Sequence, residues 1–215
     1  MVDSPVMDAV PLDPGAYQGT YKLIGGQCSL DLVNTVSWPG LPREHDWFDP
    51  VGNVPTWAVA AGILDPRSAH RLSEWVTADA KRSTRELTTA RRIRSTVTAV
   101  LAPFIRGETA PSKAVEALNR LWVRAASRRR LTADRDAYQM AWTFIEPASF
   151  EDLLAPAVLN AAEVLTGLDP ARLGYCPACK WLFYDTTRNG RRTWCDMADC
   201  GSRAKARRHY QRHHS

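Results

Sequence analysis

Four of the five cysteines in this sequence lie close together near its C-terminal end, in a spacing that suits metal binding. Cys176, Cys179, Cys195 and Cys200 form the pattern C-x2-C-x15-C-x4-C, and Cys28, which we interpret as a small buried apolar residue, stands alone. Two cysteine pairs about twenty residues apart are typical of a tetrahedral zinc site, with an iron–sulfur cluster as the alternative. Four thiolates leave no open position for substrate, so we predict one structural zinc ion.

The residues between the cysteines predict the elements that would hold this ion. Residues 181–184 read as a strand, and Asn189-Gly190 is a dipeptide typical of β-hairpins, so we expect 192–195 to return as the partner strand. We expect Asp199 to cap a helix that begins near Cys200. A module of about 45 residues buries little apolar surface, so the metal is expected to supply much of its folding free energy.

The positive charge of the chain is concentrated around the same cysteines. Residues 171–215 hold ten Lys and Arg against three Asp, whereas the rest of the chain is slightly acidic, within a net charge of +5. A dense positive patch favours a polyanion, and double-stranded DNA is the first candidate; a solvated basic tail is the alternative. We predict that eight cations contact nucleic acid: Arg188, Arg191, Arg192, Arg203, Lys205, Arg207, Arg208 and Arg212.

The segment from Cys176 to Lys205 resembles the CGNR zinc finger. The string for which that family is named reads Cys200-Gly201-Ser202-Arg203 here, with serine in place of asparagine. Asp196 stands where the family's Trp-Cys-Ser-Met pattern has serine. Both departures lie close to the predicted nucleic-acid surface and leave the four cysteines unchanged.

The front of the chain is similar to the ABATE domain, which usually precedes this finger. The similarity rests on Gly25-Gly26 and on residues 30–35, which read LDLVNT. The two resemblances together imply a stress-induced transcription regulator that binds DNA, from a family common in actinobacteria.

The apolar spacing in the first 170 residues is mostly helical, so we predict an α+β fold. It comprises a mostly α-helical domain with a small antiparallel hairpin (1–170, with 1–16 flexible), followed by a four-cysteine zinc finger made of a hairpin and a helix (171–215). The predicted helices cover 56–62, 66–80, 87–104, 115–125 and 149–167, and a strand at 138–144 is paired with 128–132.

A polar group near the front of the chain allows two interpretations. Asp31 and Asn34 are three residues apart on a short helix predicted over 29–36, with Thr35 next and Trp38 following. They could line a pocket for a small-molecule effector. Alternatively, Asp31 and Asn34 bond nearby backbone groups and fix the turn toward Trp38, which is the interpretation we favour.

The sequence contains no motif that indicates an enzyme. It has no G-x-S-x-G, no phosphate-binding G-x-x-x-x-G-K-[ST] and no H-E-x-x-H, and no apolar run of membrane-spanning length. We therefore predict a cytoplasmic DNA-binding transcription regulator, not an enzyme, whose N-terminal domain senses a signal or forms a homodimer. The alternatives are an RNA- or protein-binding zinc module, and an enzyme domain fused to a targeting finger.

Overall fold

The computed structural model describes residues 8–134, 137–143 and 147–214. The helices before the cysteines are α1 (Cys28–Val33), α2 (Asn53–Ala60), α3 (Pro66–Thr77), α4 (Ala80–Ile105), α5 (Ser112–Ala126), α6 (Phe150–Leu153) and α7 (Ala155–Gly167). The strands there are β1 (Val36–Ser37), β2 (His45–Asp46), β3 (Arg129–Asp134) and β4 (Ala137–Trp142).

The C-terminal region adds two strands and one long helix. A 3-10 turn (Pro170–Arg172) leads into β5 (Leu173–Tyr175), β6 (Leu182–Tyr184), a π-helical turn (Met197–Gly201) and α8 (Ser202–His214). Within the described residues the strands form three two-stranded antiparallel sheets, β1–β2, β3–β4 and β5–β6. The predicted α+β class, mostly helical with small antiparallel sheets, is confirmed. None of the helices in these ranges is long and apolar enough to cross a bilayer.

Helix α4 is the centre of the helical bundle. It packs against α1, α3, α5, α6 and α7, and one face is fully buried at Ala90, Ile93, Val97 and Leu101. It begins earlier than the apolar spacing predicts because the side chain of Asp79 accepts a hydrogen bond from the backbone N–H of Arg82 (2.8 Å). The same extended cap residue separates α4 from α3, which ends at Thr77 instead of 80.

The helix predicted over 149–167 is broken in two. Ser149 caps its start as expected, since its hydroxyl accepts from the Asp152 N–H (3.2 Å). The first helix ends at Leu153, and after Leu154 a second helix starts with Pro156 in its first turn. Proline lacks the N–H that a continuous helix would need there, but it fits a helix start.

The β3–β4 hairpin confirms the predicted pairing, with Leu131 opposite Met140. The tip at 135–136 and the predicted strand residue Phe144 lie outside the described residues. The segment 1–16 was expected to be flexible, but in its described part Val10 and Leu12 are buried and the Val10 N–H donates to the Tyr21 carbonyl (2.9 Å).

One hydrophobic core runs through the residues on both sides of the predicted boundary at 170. Trp181, Leu182 and Phe183 of the C-terminal region belong to the same buried cluster as Leu30 and Leu32 of α1. Strand β6 also bonds the front of the chain, because the Tyr184 N–H donates to the Gly25 carbonyl (2.8 Å). The C-terminal region is therefore built onto the helical bundle and shares its interior.

Candidate metal centre and nucleic-acid interface

The structure brings the sulfur atoms of the four predicted ligand cysteines into one buried group. The Sγ atoms all lie within 4.8 Å of one another, with 3.2 Å between Cys179 and Cys195 and 3.6 Å between Cys195 and Cys200. None of the four forms a disulfide. Zinc–sulfur bonds of about 2.3 Å in a tetrahedron place the sulfurs about 3.8 Å apart. The donor atoms and their spacing therefore fit one structural zinc ion.

The first cysteine pair sits on a tight turn between β5 and β6. The Cys176 N–H donates to the Trp181 carbonyl (2.9 Å), and the Lys180 N–H donates back to the Cys176 carbonyl (3.0 Å). Lys180 adopts φ +69, the left-handed conformation that such a turn requires. The strand pair thus closes the turn and points both thiols to one side.

The predicted strand partner within the finger is wrong. Strand β6 pairs with β5, with Leu173 opposite Tyr184, and 192–195 forms no strand. The Asn189-Gly190 turn is present, with Gly190 at φ +59, but Asp185 redirects the chain around it. Its carboxylate accepts from the N–H groups of Thr187 and Arg192 (both 2.8 Å) and draws the returning chain away from ladder geometry.

The predicted helix cap is also wrong. Asp196, not Asp199, accepts the capping hydrogen bond, from the Ala198 N–H (2.8 Å), at the start of the π-helical turn that carries Cys200. Asp196 also pairs with Lys22 (3.0 Å) from the front of the chain. Asp199 pairs instead with Arg203. The acidic residue that departs from the family pattern therefore ties the metal centre to the bundle.

The crowded thiols cannot all be ionised without a cation. A hydrogen bond with Cys179 lowers the pKa of Cys176, whereas the hydrogen bond with Cys176 raises the pKa of Cys195 well above its ordinary value. Negative charge on one sulfur thus opposes charge on its neighbours. A divalent ion removes this conflict by stabilising all four thiolates together.

Six of the eight cations predicted to contact nucleic acid are exposed around this centre. They are Arg188, Arg191, Lys205, Arg207, Arg208 and Arg212. None of these six has a carboxylate partner in the ranges that the structure describes. Their charge is therefore available to an external anion.

The other two cations are engaged within the molecule. The guanidinium of Arg192 lies over the Phe183 ring (4.5 Å) and donates to the carbonyls of Ile24 (3.1 Å), Trp194 (3.1 Å) and Cys195. Arg203 pairs with Asp199 and donates to the Cys200 sulfur (3.3 Å). Both guanidiniums support the metal centre.

The polar side chains of Asp31, Asn34 and Thr35, on α1 and directly after it, are buried. They form hydrogen bonds with other parts of the chain. The Asn34 amide both accepts from the Leu182 N–H and donates to the Leu182 carbonyl, each at 2.8 Å. Asp31 accepts from the Gly25 N–H (2.7 Å). A Cβ added at position 25 would lie only 2.9 Å from the Asp31 carboxylate oxygen, so this close approach requires glycine. Thr35 donates to the Leu32 carbonyl (2.7 Å). Burial raises the pKa of Asp31 to about 7.

Trp38 is placed differently from those three residues. Its indole N–H donates to the Tyr17 hydroxyl (3.0 Å), and its ring lines a cavity of about 220 Å³ beside the metal centre. The guanidiniums of Arg43 and Arg203 lie 3.0 and 5.3 Å from the ring centroid. The sequence around Arg43 gives one local signal of its position, the Pro39-Gly40 turn that precedes it, and this does not predict a functional role.

Comparisons with known proteins match two family models to successive parts of the chain. The model of the ABATE family, described as "Putative stress-induced transcription regulator", matches residues 26–168. The model of the CGNR zinc finger matches residues 172–213. Neither description is that of an enzyme family. No curated protein matches the chain.

Proposed function

The chain belongs to the ABATE family and carries a CGNR zinc finger, and from this premise we propose that it is a transcription regulator whose finger binds double-stranded DNA. The observation that carries the proposal is the set of exposed cations beside the metal centre that pair with no carboxylate in the described part of the chain. The zinc ion would hold the turn of Cys176 and Cys179 against the start of α8, and so fix the direction of that helix. The role proposed for the ion is structural, and no enzymatic activity is proposed.

The basic residues on α8 form two rows that suit phosphate contacts. Arg208 and Arg212 are four residues apart, and Lys205 lies three before Arg208, so all three share one side of the helix. Arg203 and Arg207 form the second row, of which Arg207 is exposed. Guanidiniums presented by a helix fix a protein on the duplex through phosphate oxygens. Arg192 is left out of this contact set because its donors are used internally.

The proposal is tested by titrating the zinc-loaded protein against a fluorescently labelled, mixed-sequence DNA duplex. We expect binding at about 50 mM salt that weakens steeply as salt rises. The double variant Arg208→Ala and Arg212→Ala is expected to bind about ten-fold more weakly, with a salt slope lower by about two. No binding of the duplex by the wild-type protein would overturn the proposal.

A matched double variant separates contact from net charge. Arg67 and Arg120 are exposed arginines of the bundle, and replacing both by alanine removes the same charge away from the finger. We expect affinity within two-fold of wild type for this control.

Competition by structured RNA and by single strands addresses the alternative of an RNA-binding module, since duplex DNA should compete best. A small-molecule effector, a homodimer and a cytoplasmic location stay predictions.

A further inference from the structure

A groove joins the bundle to the finger on the side where Arg207 is exposed. Its volume is about 440 Å³, and it is lined by Trp38, Leu41, Pro42, Arg43, Ala178 and Arg207. Ala178 lies in the turn between the first two cysteines, and Arg207 lies on α8. Residues 38–43 come from the loop between β1 and β2. Both regions of the chain therefore build this groove.

The residues that line the groove are of two chemical kinds. Leu41, Pro42 and Ala178 offer apolar surface, whereas Arg43 and Arg207 are exposed arginines. Neither arginine has a carboxylate partner among the ion pairs of the described residues. Glu44, the nearest acid in the chain to Arg43, accepts instead from the Gly40 N–H (2.5 Å). The charge of the groove is thus complementary to an anion with an apolar part.

The loop that carries Arg43 is held in place before any partner binds. Trp38 adopts φ +57 and Gly40 φ +71, and the Leu41 and Glu44 N–H groups donate to the carbonyls of Trp38 (3.0 Å) and Leu41 (2.9 Å). The Arg43 guanidinium stacks on the Trp38 ring, and the guanidinium of Arg203 from α8 lies 5.3 Å from the centroid of the same ring. A left-handed conformation at a tryptophan is costly and persists only where its surroundings enforce it. Arg43 is therefore presented in an ordered position.

We infer that one strand of the DNA duplex lies along this groove, with its phosphates contacted by Arg43 and Arg207 and a deoxyribose against Leu41, Pro42 and Ala178. This inference rests on the proposed function and extends the DNA-binding surface onto the ABATE domain. The sugar–phosphate backbone combines anionic groups with an apolar ring, which matches the arginines and the apolar residues that line the groove. Because Arg207 belongs to α8, the groove adjoins the DNA-binding surface proposed for that helix.

The experiment compares Arg43→Ala with Arg120→Ala in the duplex titration. Both variants lose one exposed arginine of the ABATE domain, but only Arg43 lies in the groove. We expect Arg43→Ala to bind the duplex about five-fold more weakly, with a salt slope lower by about one. Arg120→Ala should match the wild-type protein, and Arg43→Lys, which keeps the charge, should restore the slope.

The outcomes distinguish this inference from the function on which it rests. If the wild-type protein binds DNA and Arg43→Ala binds as tightly as Arg120→Ala, the groove inference is wrong and the finger proposal stands. If the wild-type protein does not bind the duplex, the proposed function itself fails. An unchanged thermal midpoint for Arg43→Ala would show that a loss of affinity comes from the contact and not from unfolding.

Discussion

Two buried polar clusters in this protein differ in whether the chain itself satisfies them. The amide of Asn34 and the carboxylate of Asp31 find their partners on the backbone of Leu182 and Gly25. The thiols of the four ligand cysteines lie against one another at distances that oppose full ionisation, and Arg203 donates to only one of them, Cys200. The first cluster is a joint between two regions of the fold, and the second is a site for an external ion. In this molecule a ligand site is indicated by buried polar groups whose partners the chain does not supply, and not by buried polar groups in general.

Breaking the metal cluster should have the largest effect. Cys195→Ser replaces a buried ligand with a weak one, and a structural zinc site contributes on the order of 10 kcal/mol to folding. Because the finger and the bundle share one core, we expect loss of zinc together with a marked drop in the thermal midpoint of the whole chain. Elemental analysis and calorimetry measure the two effects.

Cys28→Ser is the matched control for that variant. It makes the same chemical change at a half-buried thiol outside the cluster. We expect it to retain one zinc ion per chain. A Cys195→Ser protein with full zinc content would contradict the assignment of the ligands.

Breaking the joint should have a smaller but clear effect. Asn34→Ala leaves the N–H and the carbonyl of Leu182 buried without their partner, which costs about 3 kcal/mol in the free energy of unfolding. Asn119→Ala, on the exposed face of α5, should stay within about 0.5 kcal/mol of wild type. Urea unfolding of the zinc-loaded proteins gives the comparison, and equal stability of the two variants would remove Asn34 from its role as a joint.

The charge of Asp31 gives a pH-dependent test of the same joint. Its folded-state pKa is raised to about 7 by burial, so the folded state binds a proton more tightly than the unfolded state does. Stability from this group is therefore present below the unfolded pKa and is lost as pH rises toward 7. Asn at this position does not titrate but can still accept from the Gly25 N–H.

The expected result is a growing difference between the two proteins. With zinc in excess, the stability of Asp31→Asn relative to wild type should rise by about 2 kcal/mol between pH 5.5 and 7, and then level off. Chemical unfolding at a series of pH values measures this difference. A difference that is flat across the range would mean that Asp31 stays ionised throughout.

The sequence predicts the parts of the site that depend on local spacing. The four cysteines are recognisable because metal ligation imposes short, fixed separations. The helix cap at Ser149 and the turn at Asn189-Gly190 are predictable because they depend on nearby residues. The partner of β6 is not predictable in this way, since β5 competes with 192–195 and the outcome depends on Asp185. The cap at Asp196 was missed because Asp199 lies only three residues away and fits the same rule.

The local sequence also does not predict that the Arg192 side chain points inward. It is adjacent to exposed Arg191 and has the same side chain, but the carbonyl of Ile24 that it bonds is contributed by the distant front of the chain. The matching of Asn34 to Leu182 has the same long-range origin. Pattern and charge identify the finger, but only the fold separates its structural arginines from those that face outward.

The interior that the finger shares with the bundle limits how the protein can be divided. A fragment beginning at residue 171 would expose to water part of the apolar surface that Trp181, Leu182 and Phe183 bury in the core shared with the bundle. Such a piece would be prone to self-association, even with its zinc ion bound. Transplanting this finger to another protein would therefore require a host surface shaped like α1 and the loop before it.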